Sequence, residues 1–71
     1  MKTVITWKNK FSGETGYVKS VSKKKGYFEN TFDVNEAKVY KSAKTIAKDM
    51  DAIKSFGELE NNMFFSIDLK E

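Results

Sequence analysis

The chain contains no cysteine and no histidine, and all thirteen of its basic residues are lysine. Without cysteine there is no disulfide to staple a small fold, and the redox compartment is left open. With histidine missing as well, the usual nitrogen and sulfur ligands for zinc or copper are gone, so no metal and no cofactor is expected. The same absence removes the side chain that most often moves protons near neutral pH. Without arginine there is no planar guanidinium to read guanine edges or clamp phosphate bidentately, which argues against sequence-specific DNA recognition. Long apolar runs are also lacking. The opening "MKTVITWKNK" falls short of a signal peptide's apolar region, and nothing approaches the roughly 20 residues of a membrane span. These features predict a cytoplasmic protein with no membrane contact.

What remains is a chain of 71 residues with 39% hydrophobic and 32% charged residues. That balance suits a folded chain rather than a disordered one, and the length suits a single domain over residues 1–71. A core of this size supplies only about 3–5 kcal/mol of net stability, so small domains often add disulfides, a metal or a second subunit. Self-association is the one such support that this composition still permits. The net charge of +3 is unevenly spread. Residues 1–25 carry seven lysines against Glu14, whereas residues 49–71 carry two lysines against six acids.

Thr3 to Lys8, rich in β-branched and aromatic residues, predicts a first strand. "NKFSGETG", residues 9–16, has the composition of a hairpin loop, and Tyr17 to Ser22 returns as the second strand. Lys23-Lys24-Lys25-Gly26 forms the next turn, with Gly26 able to take a positive φ, and Tyr27 to Phe32 gives a third strand. Asp33 and Glu36 have capping-box spacing around a short helical turn. Ser42 is the N-cap candidate of a helix over 43–56, in which Ala43, Ile46, Ala47, Met50 and Ile53 form an apolar stripe, and Gly57 ends it. Met63, Phe65, Ile67 and Leu69 alternate with more polar positions, predicting a last strand with one apolar face. The expectation is an α+β domain of order β-β-β-α-β, with one helix laid on one face of a small antiparallel sheet of three to four strands. The stripe is expected to pack on Ile5, Trp7, Phe65 and Ile67.

"TFDVNEAKVYKSAKTIAKDM", residues 31–50, and the preceding "ITWKNKFSGETGYVKS" together resemble small uncharacterised proteins of low-GC Gram-positive bacteria and their phages. That resemblance implies a similar fold and a phage or mobile-element origin. The group has no established activity, so it implies no site residues.

No catalytic set is legible. Asp49 and Asp51 point in different directions on the helix, Glu58 and Glu60 read as a solvated loop, and Gly13 and Gly16 lack the helix and Lys-Ser/Thr of a phosphate loop. A non-enzymatic protein-binding or self-associating domain, with a homodimer as one form, is therefore the leading expectation. Val18 and Phe64 fall on the opposite side of their strands from Val21 and Phe65, so Val18, Phe64, Tyr17 and Tyr27 are the expected contact residues on an outer sheet face. The alternative is weak, sequence-nonspecific nucleic-acid binding. There Lys23, Lys24 and Lys25, with Lys8, Lys10 and Lys19, would form one positive edge, and Trp7, Tyr17, Tyr27 and Phe28 would offer stacking faces.

Overall fold

The computed structural model describes residues 2–69. Four strands, β1 (Lys2–Asn9), β2 (Thr15–Ser22), β3 (Tyr27–Thr31) and β4 (Asn62–Leu69), form one antiparallel sheet of spatial order β3-β2-β1-β4. Between β3 and β4 run a 3₁₀ turn at Val34–Glu36, the helix α1 (Ala43–Ser55) and a second 3₁₀ turn at Glu58–Glu60. The α+β class, the single helix and the β-β-β-α-β order agree with the sequence reading.

Local chemistry fixes most boundaries. The Ser42 side chain accepts from the Thr45 N–H and starts α1, as an N-cap does. Gly57, at φ 81°, takes the left-handed conformation that ends it. Gly26 likewise holds φ 75° in the lysine turn. The capping box forms only in part. Asp33 accepts from the Asn35 N–H, but the Glu36 carboxylate accepts from the Thr31 hydroxyl instead of reaching back.

The β1–β2 ladder covers only Thr6 to Lys8, and the two strands then diverge. The segment after the first 3₁₀ turn fills the gap, with the Lys38 N–H donating to Val18 O and the Tyr40 N–H to Thr3 O. In this way the connection to the helix satisfies strand carbonyls that would otherwise lack partners.

Ile5, Trp7, Val18, Tyr40 and Ile53 make the core, and Val21, Phe28, Ile46, Met50 and Phe64 pack against it. Phe28 and Phe64 belong to the two edge strands, yet their rings meet edge-to-face at 5.4 Å. Edge strands of a flat four-stranded sheet would lie roughly 14 Å apart, so the sheet curls around the helix. The expected stripe is corrected in two respects. Ala43 and Ala47 are exposed, and the buried side of α1 is carried by Ile46, Asp49, Met50, Ala52 and Ile53. Phe65 and Ile67 do not reach the helix, because the β1–β4 register pairs Trp7 with Phe64 and Thr6 with Phe65. A ladder shifted by one residue turns every side chain to the other face, and this register turns Phe64 inward. It is pinned where the strands meet: the Lys10 N–H donates to Asn61 O, and the Asn9 amide donates to Asn62 Oδ1.

Candidate functional site

β4 presents Phe64, Ser66 and Asp68 to the helix side and Met63, Phe65, Ile67 and Leu69 to the outer side. Its more apolar face is thus the one turned away from the helix. On the outer side Met63 is 39% exposed and Phe65 45%, while Val4, opposite Ile67 on β1, is only 1% exposed. Tyr17 stands on the same face across Thr6 and is half-buried.

The edge beside that face is also open. Because Lys10 N–H bonds Asn61 O, alternation along an antiparallel ladder turns the backbone groups of Met63, Phe65 and Ile67 toward β1 and those of Asn62, Phe64, Ser66 and Asp68 away from it. The complementary pattern on β1 agrees, since Asn9 N–H and Thr3 O both bond on its other side. An outward row of donors and acceptors therefore borders the exposed Phe65 and Met63 rim.

Of the four expected contact residues, Tyr27 is exposed and Tyr17 half-buried, but Val18 and Phe64 face the helix. Val18 has 0% exposure. Simple alternation put Val18 and Val21 on opposite sides of β2, but a register shift between Val18 and Ser20 lets both join the core. Phe65 takes the outer position that the sequence reading gave to Phe64.

The six lysines do not converge. Lys23, Lys24 and Lys25 sit in the turn at the far end of β2, whereas Lys8 pairs with Thr15 at its beginning and the Lys10 ammonium is held by Leu59 O. Apart from Lys19, exposed within β2, the lysines fall into two groups that this eight-residue strand separates by roughly 23 Å, so they do not form one positive edge. Of the four rings expected to stack, Trp7 is buried and Phe28 packs on the core, which leaves Tyr27 exposed and Tyr17 half-buried.

A polar cluster escaped the sequence reading. Asp49 is 6% exposed, and its Oδ2 accepts from the Tyr40 hydroxyl at 2.6 Å and from the Lys38 ammonium at 2.7 Å. Burial works to raise the Asp49 pKa, but the hydrogen bonds from Lys38 and Tyr40, the Lys38 charge and a contribution from Lys23 outweigh it and hold the carboxyl below its ordinary value. Burial, then the hydrogen bond to Asp49 and its charge, drive the Tyr40 hydroxyl far above the ordinary tyrosine value. The cluster binds the connecting segment to the helix. The signal in the sequence was the i, i+4 placement of Asp49 and Ile53 on one helical face.

A shallow cavity of about 250 Å³ lies at the β1–β2 hairpin end, lined by Trp7, Asn9, Glu14, Phe28, Asn30 and Asn62. Two of its amides are already occupied: Asn9 accepts from the Phe11 and Ser12 N–H groups and donates to Asn62, which donates onward to Glu58. Among the described residues, no group of three or more acidic side chains is placed to hold a metal ion, and no helix is long and apolar enough to cross a membrane. Comparison with protein families, with characterised proteins and with solved structures finds no match to this chain.

Proposed function

We propose that this chain is a non-enzymatic protein-interaction domain whose contact surface is the outer face of β4 together with its open edge. One observation carries the reading. The strand's apolar residues, Met63, Phe65, Ile67 and Leu69, lie on the side of the sheet away from the helix, with Met63 and Phe65 exposed, beside a row of outward backbone donors and acceptors. An exposed apolar surface continuous with a free strand edge suits recognition by strand addition, where main-chain hydrogen bonds supply affinity and alternate side chains supply specificity.

Hydrogen exchange tests this residue by residue. The amides of Phe64, Ser66 and Asp68 should exchange fast in dilute protein and slow down when the surface is occupied, either in concentrated protein or in cytosolic extract. Phe65→Ser should diminish that slowing without unfolding the domain. If the three amides exchange equally fast under all these conditions, the reading fails.

A further inference from the structure

Resting on that reading, we infer that the occupant of the β4 edge is a second copy of this chain, paired antiparallel through β4 with the two-fold axis beside Phe65. The two edges of the sheet differ in how they are protected. β3 has five residues, faces an irregular partner strand and follows three consecutive lysines, all features that discourage further pairing. β4 has eight residues in unbroken register with β1, contains neither lysine nor proline between Asn62 and Leu69, and carries Asp68 as its one charge.

The strand is complementary to itself. With Phe65 on the axis, Phe65 meets Phe65 of the second copy, and Met63 meets Ile67, so apolar residues pair along the outer face. On the helix side Phe64 meets Ser66 and Asn62 meets Asp68, which places an amide against the single carboxylate and sets no like charges opposite each other. The outward backbone groups of Phe64 and Ser66 then form hydrogen-bonded pairs, and Phe65 lies in a close, non-hydrogen-bonded pair. Moving the axis to Ser66 would set Phe64 against a carboxylate. Moving it to Asp68 would oppose two carboxylates. An odd shift would match the outer face with the helix face and is excluded by the pleat. The product is an eight-stranded sheet in which the apolar row of one β4 continues into that of its partner. A strand-pair interface falls at the small end of specific interfaces, so dissociation constants on the order of 10–100 μM are expected.

Sedimentation from low micromolar to about millimolar concentration, with two variants, decides it. The wild type should show a monomer–dimer equilibrium. Ser66→Pro removes an N–H that points away from β1, so the melting temperature should hold while dimerisation weakens at least about tenfold, since the symmetric interface loses that bond twice. Phe65→Cys should cross-link to itself on mild oxidation, because such pairs lie about 4.5 Å apart at Cα and the chain has no other cysteine. Met63→Cys alone should not cross-link, but should join Ile67→Cys when the two are mixed. A wild type that stays monomeric throughout, or Phe65→Cys that fails to cross-link, overturns the second copy as occupant. If β4 amides are then still protected by extract, the interaction surface stands with another partner. If they are protected by nothing, both readings fall. Ser66→Pro that remains folded and dimerises as the wild type does would remove the β4 edge from the interface.

Discussion

The Tyr40 hydroxyl donates to Asp49 Oδ2 at 2.6 Å, joining the segment wedged between β1 and β2 to the middle of the helix. The Lys38 ammonium reaches the same oxygen and lies 5.0 Å from the Tyr40 ring centroid. Beside the apolar packing of Ile46, Met50 and Ile53, this group is a polar tie between the helix and the connecting segment. Its disruption therefore tests the architecture more directly than removal of a single core methyl group.

Asp49→Ala should leave the buried Tyr40 hydroxyl without an acceptor while Lys38, already partly exposed, returns to water. An unsatisfied buried donor costs about 1–3 kcal/mol, and the lost ion pair adds little beyond it. Asp49→Asn retains an acceptor and should cost less, and Tyr40→Phe should cost about 1 kcal/mol. Denaturant unfolding of the three variants checks the order. Equal stability of Asp49→Ala and wild type would remove the cluster from any structural role.

The same carboxylate should make stability depend on pH. Its folded pKa is depressed, so its contribution is complete above the unfolded value and is lost as pH falls through the folded one. The wild type should therefore lose melting temperature below about pH 4, and Asp49→Asn should lose less over that window. The Tyr40 shift has the opposite sense: a raised folded pKa stabilises fully below the unfolded value, with the contribution falling away above about pH 10. Phenolate absorbance should show Tyr40 staying protonated until the domain unfolds, a component that Tyr40→Phe removes.

The elements whose determinants are local were legible in the sequence. Ser42 and Gly57 bracket the helix through bonds and a φ angle that each residue supplies itself, and Gly26 does the same for the lysine turn. What alternation could not reveal was the face on which each strand rests. In β4 the stronger apolar row, Met63 to Leu69, looked like the core side, yet contacts at the strand's beginning, Asn61 with Lys10 and Asn62 with Asn9, set a register that faces Phe64 inward. In β2 an irregularity of one residue brings Val18 and Val21 to the same side. Asp49 was legible as sharing the Ile53 face of the helix, but its partners Lys38 and Tyr40 were not, since they arrive from a loop whose path no periodicity records.

Gly16 has a role that composition alone assigned to a turn. It sits in β2 directly opposite Trp7, and a Cβ there would lie 2.6 Å from Trp7 Cζ2. The indole thus lies on bare backbone, with its Nε1 buried and unpaired. Gly16→Ala should force the ring from its seat and destabilise by about 1–3 kcal/mol, accompanied by a change in tryptophan fluorescence. An unchanged melting temperature and spectrum would show that the indole rests elsewhere in solution.

The lysine turn should act mainly to keep the β2–β3 hairpin in water, with any hold on nucleic acid confined to low salt. Lys23 also contributes to the field at Asp49, so part of the turn's charge faces the protein itself. Three lysines neutralising phosphates of a single strand would give a log–log salt slope of about −2, and binding of that kind fades near 150 mM, where the screening length is about 8 Å. Changing Lys23, Lys24 and Lys25 together to Ser should abolish this residual binding and cost no more than about 0.5 kcal/mol of stability. Changing Lys8 and Lys10 should leave the slope nearly untouched, because β2 holds them at the other end of the sheet. Tight binding that survives physiological salt and needs both groups would require one ligand to span the length of β2, and would make a nucleic-acid strand, rather than a second protein surface, the partner this domain is built to hold.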